Sequence, residues 1–232
     1  MIAGPEQEKG HWVWSAGGGG AQGAEVRFVG RGPEPRADPA AVPAALIPEA
    51  PPLAWARQIH SDRVLAALPG ECGEGDALVS GPGGPALCVV TADCVPVLLA
   101  GPEGIAAVHA GWRGLAADVI GRTVEEAVRT LGADPTGWTA WIGPAIGPCC
   151  YEVSPEVAEQ VVAASDPAVA LPGPAGKPHL DLHAAARRQL ERAGIKDIDT
   201  VPTCTRCDTQ RLWSYRREGK AAGRNLALIW RS

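Results

Sequence analysis

Ala86-Leu-Cys-Val-Val90, Val95-Pro-Val-Leu-Leu99 and Gly104-Ile-Ala-Ala-Val-His109 are the runs whose reading decides the fold. Each is short, apolar and rich in small or β-branched side chains, the pattern of strands buried on both faces. Between the first two lies a turn carrying Asp93 and Cys94. The third breaks at Gly111-Trp112-Arg113-Gly114. An amphipathic stretch follows over 115–131, with Leu115, Val119, Ile120, Val124 and Val128 on one stripe, which predicts a single long helix.

Toward the N-terminus, residues 11–30 read as a strand, a flexible Gly17–Gly20 loop and a second strand over 25–29. The Pro-rich stretch 31–52 is loop-like. It leaves room for a short helix over 38–47, opened by Asp38-Pro39 and limited by Pro43. Residues 53–60 read as a strand and 62–68 as extended chain. Beyond the central runs come a strand over 138–142, a Gly-Pro loop over 143–148 and helices over 155–164 and 181–193. Strands are expected over 198–201, 212–215 and 225–230. Helices and strands mix without strict alternation, so the fold class is α+β and not a doubly wound sheet. One domain over 1–232 can bury a sufficient core.

A net charge of −5 argues against a nucleic-acid surface as the main function. No apolar run is long enough to span a bilayer as a helix, so no membrane partner is expected. Residues 1–12 carry Glu6, Glu8 and Lys9 and lack the apolar core of a leader. Seven Cys without an export signal read as reduced thiols, so a cytoplasmic location is expected. With eight Trp against one Phe, Trp supplies most of the aromatic packing, and no single Trp marks a ligand platform.

His60, Cys94 and His109 each end a strand-like run beside a turn, where sites tend to be assembled. Imidazole and thiolate suit a soft cation such as Zn²⁺, and three protein ligands leave a fourth position for water or substrate. A metal-free alternative makes Cys94 a nucleophile, His109 its base and His60 the orienting member. Asp93 is read as a support for a ligating His, as a proton carrier, or as an Asp capping its own turn. Arg113 is read either as a phosphate contact at the Gly-Trp-Arg-Gly turn or as half of a surface ion pair. Arg216 and Arg217 add two guanidinium groups after a strand. Cys204-Thr-Arg-Cys207 has zinc-knuckle spacing but needs a second pair, and Cys149-Cys150 is a poor one because adjacent residues rarely face one ion. His179 and His183 are expected to be solvated at a helix start.

Thr91-Ala-Asp-Cys-Val-Pro-Val-Leu-Leu99, Ala107-Val-His-Ala-Gly-Trp-Arg-Gly-Leu115, Trp141-Ile-Gly-Pro-Ala-Ile-Gly-Pro148, Cys204-Thr205, Ser214-Tyr-Arg-Arg217 and Gly223-Arg224 together resemble the YfiH-like, laccase-domain family. That family is also called multicopper polyphenol oxidoreductase or peptidoglycan editing factor. The match runs in order from about Trp55 to Trp230. The resemblance implies packed mixed β-sheets flanked by helices and a metal site at His60, Cys94 and His109, holding zinc with copper as the alternative. It also implies phosphorolysis of adenosine, inosine and methylthioadenosine with phosphate as co-substrate, together with adenosine deamination. The partner would be a small purine nucleoside, handled by a monomer or homodimer. The chain departs from the family pattern near its start, where Trp14-Ser-Ala-Gly-Gly18 and Arg27-Phe-Val-Gly30 lack an expected Arg and Asn. After His60 the usual Gly is Ser61. Hydrolysis of a peptidoglycan precursor by metal or Cys chemistry, and weak copper-dependent polyphenol oxidation, are the competing activities. A true four-copper laccase needs on the order of ten His ligands. This chain has five His in all, which excludes it.

Overall fold

The computed structural model describes residues 1–17, 23–33, 39–42 and 46–231. Its strands are β1 (Ala3–Glu8), β2 (His11–Ala16), β3 (Ala24–Val29), β4 (Leu53–Arg57), β5 (Val64–Ala66), β6 (Gly70–Glu74), β7 (Ala77–Ser80), β8 (Ala86–Thr91), β9 (Val95–Gly101), β10 (Gly104–Ala110), β11 (Thr139–Ile142), β12 (Ala170–Pro172), β13 (Pro178–Leu180), β14 (Asp197–Thr200) and β15 (Asn225–Arg231). The helices are α1 (Trp112–Ala116), α2 (Val119–Leu131), α3 (Pro155–Ala163), α4 (Leu182–Arg192) and α5 (Tyr215–Glu218). A seven-stranded sheet runs β1-β2-β3-β15-β8-β4-β6 and a six-stranded sheet runs β14-β11-β9-β10-β7-β5, with β12 and β13 paired apart.

The uninterrupted apolar runs follow from this layering. Leu87 and Val89 of β8, with Ala227 and Ile229 of β15, face Leu98 of β9, Ile105 and Ala107 of β10 and Trp141 of β11 in the core between the sheets. The alternate residues Val97, Leu99, Ala106 and Val108 face the other way, onto Ile120 and Val124 of α2 and Ala186 and Leu190 of α4. The outer face of the larger sheet is covered too, where Leu46 lies over Cys88, Leu226, Leu228 and Trp230. Strands with two buried faces have no solvent side on which polar residues would alternate. Burying a side chain such as Leu98, fully enclosed, contributes about 1.5–3 kcal/mol. No helix among the described residues is long and apolar enough to cross a membrane.

Several local expectations are corrected. The helix over 115–131 is two helices, because Asp118 takes a left-handed conformation with φ of 58°. Leu115 thus belongs to α1, and Val128 lies 44% exposed at the rim of the stripe. The strand over 53–60 stops at Arg57. Residues 212–215 form no strand: Ser214 caps α5 by accepting from the Arg217 N–H, and Tyr215 opens that helix. A 3-10 turn at Pro39–Ala41 stands where the short helix was expected, while 38 and 43–45 lie outside the described residues. Most of the Gly17–Gly20 loop lies outside them as well.

Candidate metal centre

The β8–β9 connection crosses from one sheet to the other and carries Asp93 and Cys94 on its turn. Antiparallel pairing of β10 with β9 sets His109 opposite Pro96, close to that turn. The chain leaving β4 delivers His60. His60 and Asp93 both have positive φ, 61° and 98°. Such values are uncommon for non-glycine residues, although Asp and His adopt them more readily than most.

The three donors meet. One ligand atom from each of His60, Cys94 and His109 lies within 4.8 Å of the others. Cys94 Sγ stands 3.9 Å from His60 Nε2. Ideal tetrahedral bonds to zinc put such an S···N pair about 3.6 Å apart, so the spacing suits a single ion. The two imidazoles meet edge to face with centroids 4.9 Å apart. Gly111 keeps the space between donors clear: a Cβ there would lie 2.9 Å from His60 Cδ2 and 3.1 Å from Cys94 Sγ. His109 is buried, Cys94 half-buried and His60 exposed, so the site opens on its His60 side. The donor set, its spacing and the cleared volume fit Zn²⁺ held by three protein ligands.

Asp76 organises the centre and was not anticipated. Fully buried, it immediately precedes β7. Its Oδ1 accepts from His109 Nδ1 at 2.8 Å and from the His60 N–H at 2.9 Å. Its Oδ2 accepts from the Ser61 N–H at 2.6 Å, the Ser61 hydroxyl at 2.7 Å and the Ile59 N–H at 3.2 Å. One carboxylate thus fixes the His109 ring, with Nε2 left for a metal, and the left-handed turn that presents His60. Burial alone would raise the Asp76 carboxyl, but the hydrogen bonds from His109 and Ser61 outweigh it and hold the pKa at about 2. Burial would also raise the Cys94 thiol, and the two imidazoles hold it at about 6. For His109, burial works downward, and Cys94 with Asp76 lifts the imidazole to about 9.

A family model described as multi-copper polyphenol oxidoreductase laccase matches residues 39–232. The chain belongs to that family. The purine nucleoside phosphorylase YfiH of Shigella flexneri is 40% identical over 182 residues, covering 76% of this chain and 72% of that protein. A purine nucleoside phosphorylase of Streptomyces coelicolor is 43% identical over 183 residues, covering 76% and 74%. The crystal structure of YlmD from Geobacillus stearothermophilus aligns with a TM-score of 0.83 at 26% identity, covering 97% of this chain and 98% of that one.

Around the centre, this laccase-family chain uses its other polar residues mainly as braces. Asp93 hydrogen-bonds to neither imidazole. Its Oδ1 accepts from the Thr205 hydroxyl and its Oδ2 from the Arg216 N–H, both at 2.6 Å. Its carbonyl accepts from the Ile146 N–H at 2.9 Å. Arg113 lies exposed with its guanidinium 4.4 Å from the Trp112 ring centroid. Arg217 donates to the carbonyls of Thr205 at 2.7 Å, Arg206 at 2.8 Å and Leu212 at 2.6 Å, bracing that loop. Arg216 instead lies 5.2 Å from the Tyr151 ring centroid. Burial, with Cys94 close by, pushes the Tyr151 phenol up to about 12. The solvated reading of the remaining His pair is corrected. His179 Nδ1 meets the Pro148 carbonyl at 2.5 Å and His183 Nε2 the Gly143 carbonyl at 3.0 Å, both rings half-buried. Among the described residues neither joins a group of donors placed to hold one ion, in keeping with the histidine count.

Proposed function

We propose that the chain is a zinc-dependent purine nucleoside phosphorylase acting on adenosine, inosine and methylthioadenosine, with adenosine deamination at the same centre. The observation that carries the proposal is the convergence of His60, Cys94 and His109 on one space kept open by Gly111. The relatives named as purine nucleoside phosphorylases supply the reaction class. His60, Cys94 and His109 would hold the ion, which when bound supplies a Lewis acid to an oxygen of phosphate or substrate.

The chain's own residues do the rest. Asp76 keeps His109 in the tautomer that offers Nε2 and keeps His60 in its turn. We assign Arg113 to the phosphate, since its guanidinium is exposed and stacked on Trp112. In phosphorolysis a phosphate oxygen bonds to the ribose anomeric carbon as the bond to the purine nitrogen breaks, and the purine leaves with a proton. Asp93 suits positioning better than proton transfer. Each of its oxygens already accepts a hydrogen bond, and through them it fixes the Cys94 turn to the loop of Thr205 and to α5.

A thiol hydrolase is the second reading, and the structure gives it a better third member than His60. Cys94, His109 and Asp76 stand in nucleophile–base–orienter order. It leaves His60 and the cleared volume at Gly111 without a purpose, so the metal reading is preferred. Hypoxanthine release from inosine separates the two. The metalloenzyme needs phosphate, is silenced by a chelator and is restored by Zn²⁺, and Arg113→Met raises its KM for phosphate. Phosphate-independent turnover that survives chelation and is stopped by alkylating Cys94 would favour the hydrolase.

A further inference from the structure

Cys149, Cys150, Cys204 and Cys207 lie outside the centre described above, and their sulfurs all fall within 4.8 Å of one another. Cys207 Sγ stands 3.7 Å from Cys149 Sγ and 3.4 Å from Cys150 Sγ. All four are free thiols, and these separations far exceed the about 2.05 Å of a disulfide. Four sulfurs bound tetrahedrally to zinc stand about 3.8 Å apart, given Zn–S bonds of about 2.3 Å. The cluster is therefore sized for one ion.

The adjacent cysteines face the same way because the chain curls at Gly147. The Cys150 and Tyr151 N–H groups both donate to its carbonyl, at 2.9 and 3.1 Å. The Gly147 N–H in turn donates to Cys204 Sγ at 3.2 Å, the kind of hydrogen bond that supports a ligating thiolate. A Cβ on Gly147 would crowd Cys204 Cβ at 3.2 Å and Cys149 Sγ at 3.4 Å. Backbone pairing prepares the opposite side, where Ala145 bridges Cys204 and its carbonyl accepts from the Thr205 N–H at 2.9 Å.

We propose that these four cysteines form a closed tetrathiolate site for a single Zn²⁺, distinct from the His60–Cys94–His109 centre. With four protein ligands it has no open position and serves structure alone. It clips the 143–151 loop to the 202–211 loop. The first continues into Tyr151. The second carries Thr205, whose hydroxyl holds Asp93 beside Cys94. The clip thus fixes two walls of the candidate active site.

The test measures metal by mass spectrometry in the full chain, purified without chelator and supplied with Zn²⁺, beside His109→Ala and a Cys204→Ser/Cys207→Ser double variant. Wild type is expected to hold two equivalents and each variant one. The double variant should also melt on the order of 10 °C lower. Loss of the ion from His109→Ala bears only on the first centre, so the two assignments fail independently. Should the double variant not fold, alkylation mapping of wild type decides. Protection of Cys149, Cys150, Cys204 and Cys207 as a set, released by stripping the metal, is the expected result. A zinc-supplied chain in which all four react freely, or in which two are joined as a disulfide, would overturn the site.

Discussion

A side chain at position 111 would press on two donors at once, whereas its φ of −76° is one that alanine adopts freely. Gly111→Ala is therefore expected to fold and to bind Zn²⁺ at least about tenfold more weakly, as neighbours of a metal site commonly do when changed. Competition against a chromophoric chelator measures this, and unchanged affinity would place the ion elsewhere. Asp76→Asn removes a charged acceptor from the turn and presents an N–H₂ to groups that donate. The expected cost is about 1–3 kcal/mol in urea unfolding and about 10–100-fold in zinc affinity. His60, Cys94 and His109 were legible because imidazoles are few and each donor ends an apolar run. Asp76 was not, because a Gly-Asp dipeptide before a short strand looks like any turn, and its hydrogen bonds reach partners 15 to 33 residues away. Ser61, where the family pattern has Gly, gives Asp76 one further hydroxyl donor.

Among the elements, those set by apolar density were legible: β8, β9, β10, β11 and β15 lie within a residue or two of their expected ends. The short apolar β7 was missed, as were elements held by pairing. β1 is polar and at an edge, and β6 is Gly-Glu-Cys-Gly-Glu, which has little strand preference of its own and is fixed by parallel pairing with β4. The α1–α2 break escaped because helical periodicity continues across Asp118 while the backbone does not. The pairing of Cys204 and Cys207 with Cys149 and Cys150 was set aside because adjacent residues rarely face one ion, whereas the curl at Gly147 turns both sulfurs toward Cys207. At α4, burial pushes the His183 imidazole below its ordinary value, so the folded state binds a proton less readily than the unfolded chain. Its contribution is present above the unfolded value of about 6.5 and is lost as pH falls below it. The urea midpoint should drop between about pH 7.5 and pH 5, and His183→Gln should flatten that drop. An equal drop in the variant would assign it to other groups.

For the whole molecule, the six-stranded sheet is the shared floor, with the larger sheet on one face and α2 and α4 on the other. Leu98→Ala, in the layer between the sheets, is expected to cost about 2–5 kcal/mol, read as a lower urea midpoint with an unchanged slope. A changed slope would mean that the two layers come apart separately. The candidate centre sits where the chain crosses between the sheets, so its geometry depends on both staying packed. Anomalous diffraction at the zinc edge from crystals of the zinc-loaded chain bears most directly on this. The expected map has a peak bonded to His60 Nε2, His109 Nε2 and Cys94 Sγ with no fourth protein ligand. No peak among these three, or a fourth side chain closing the ion, would contradict it.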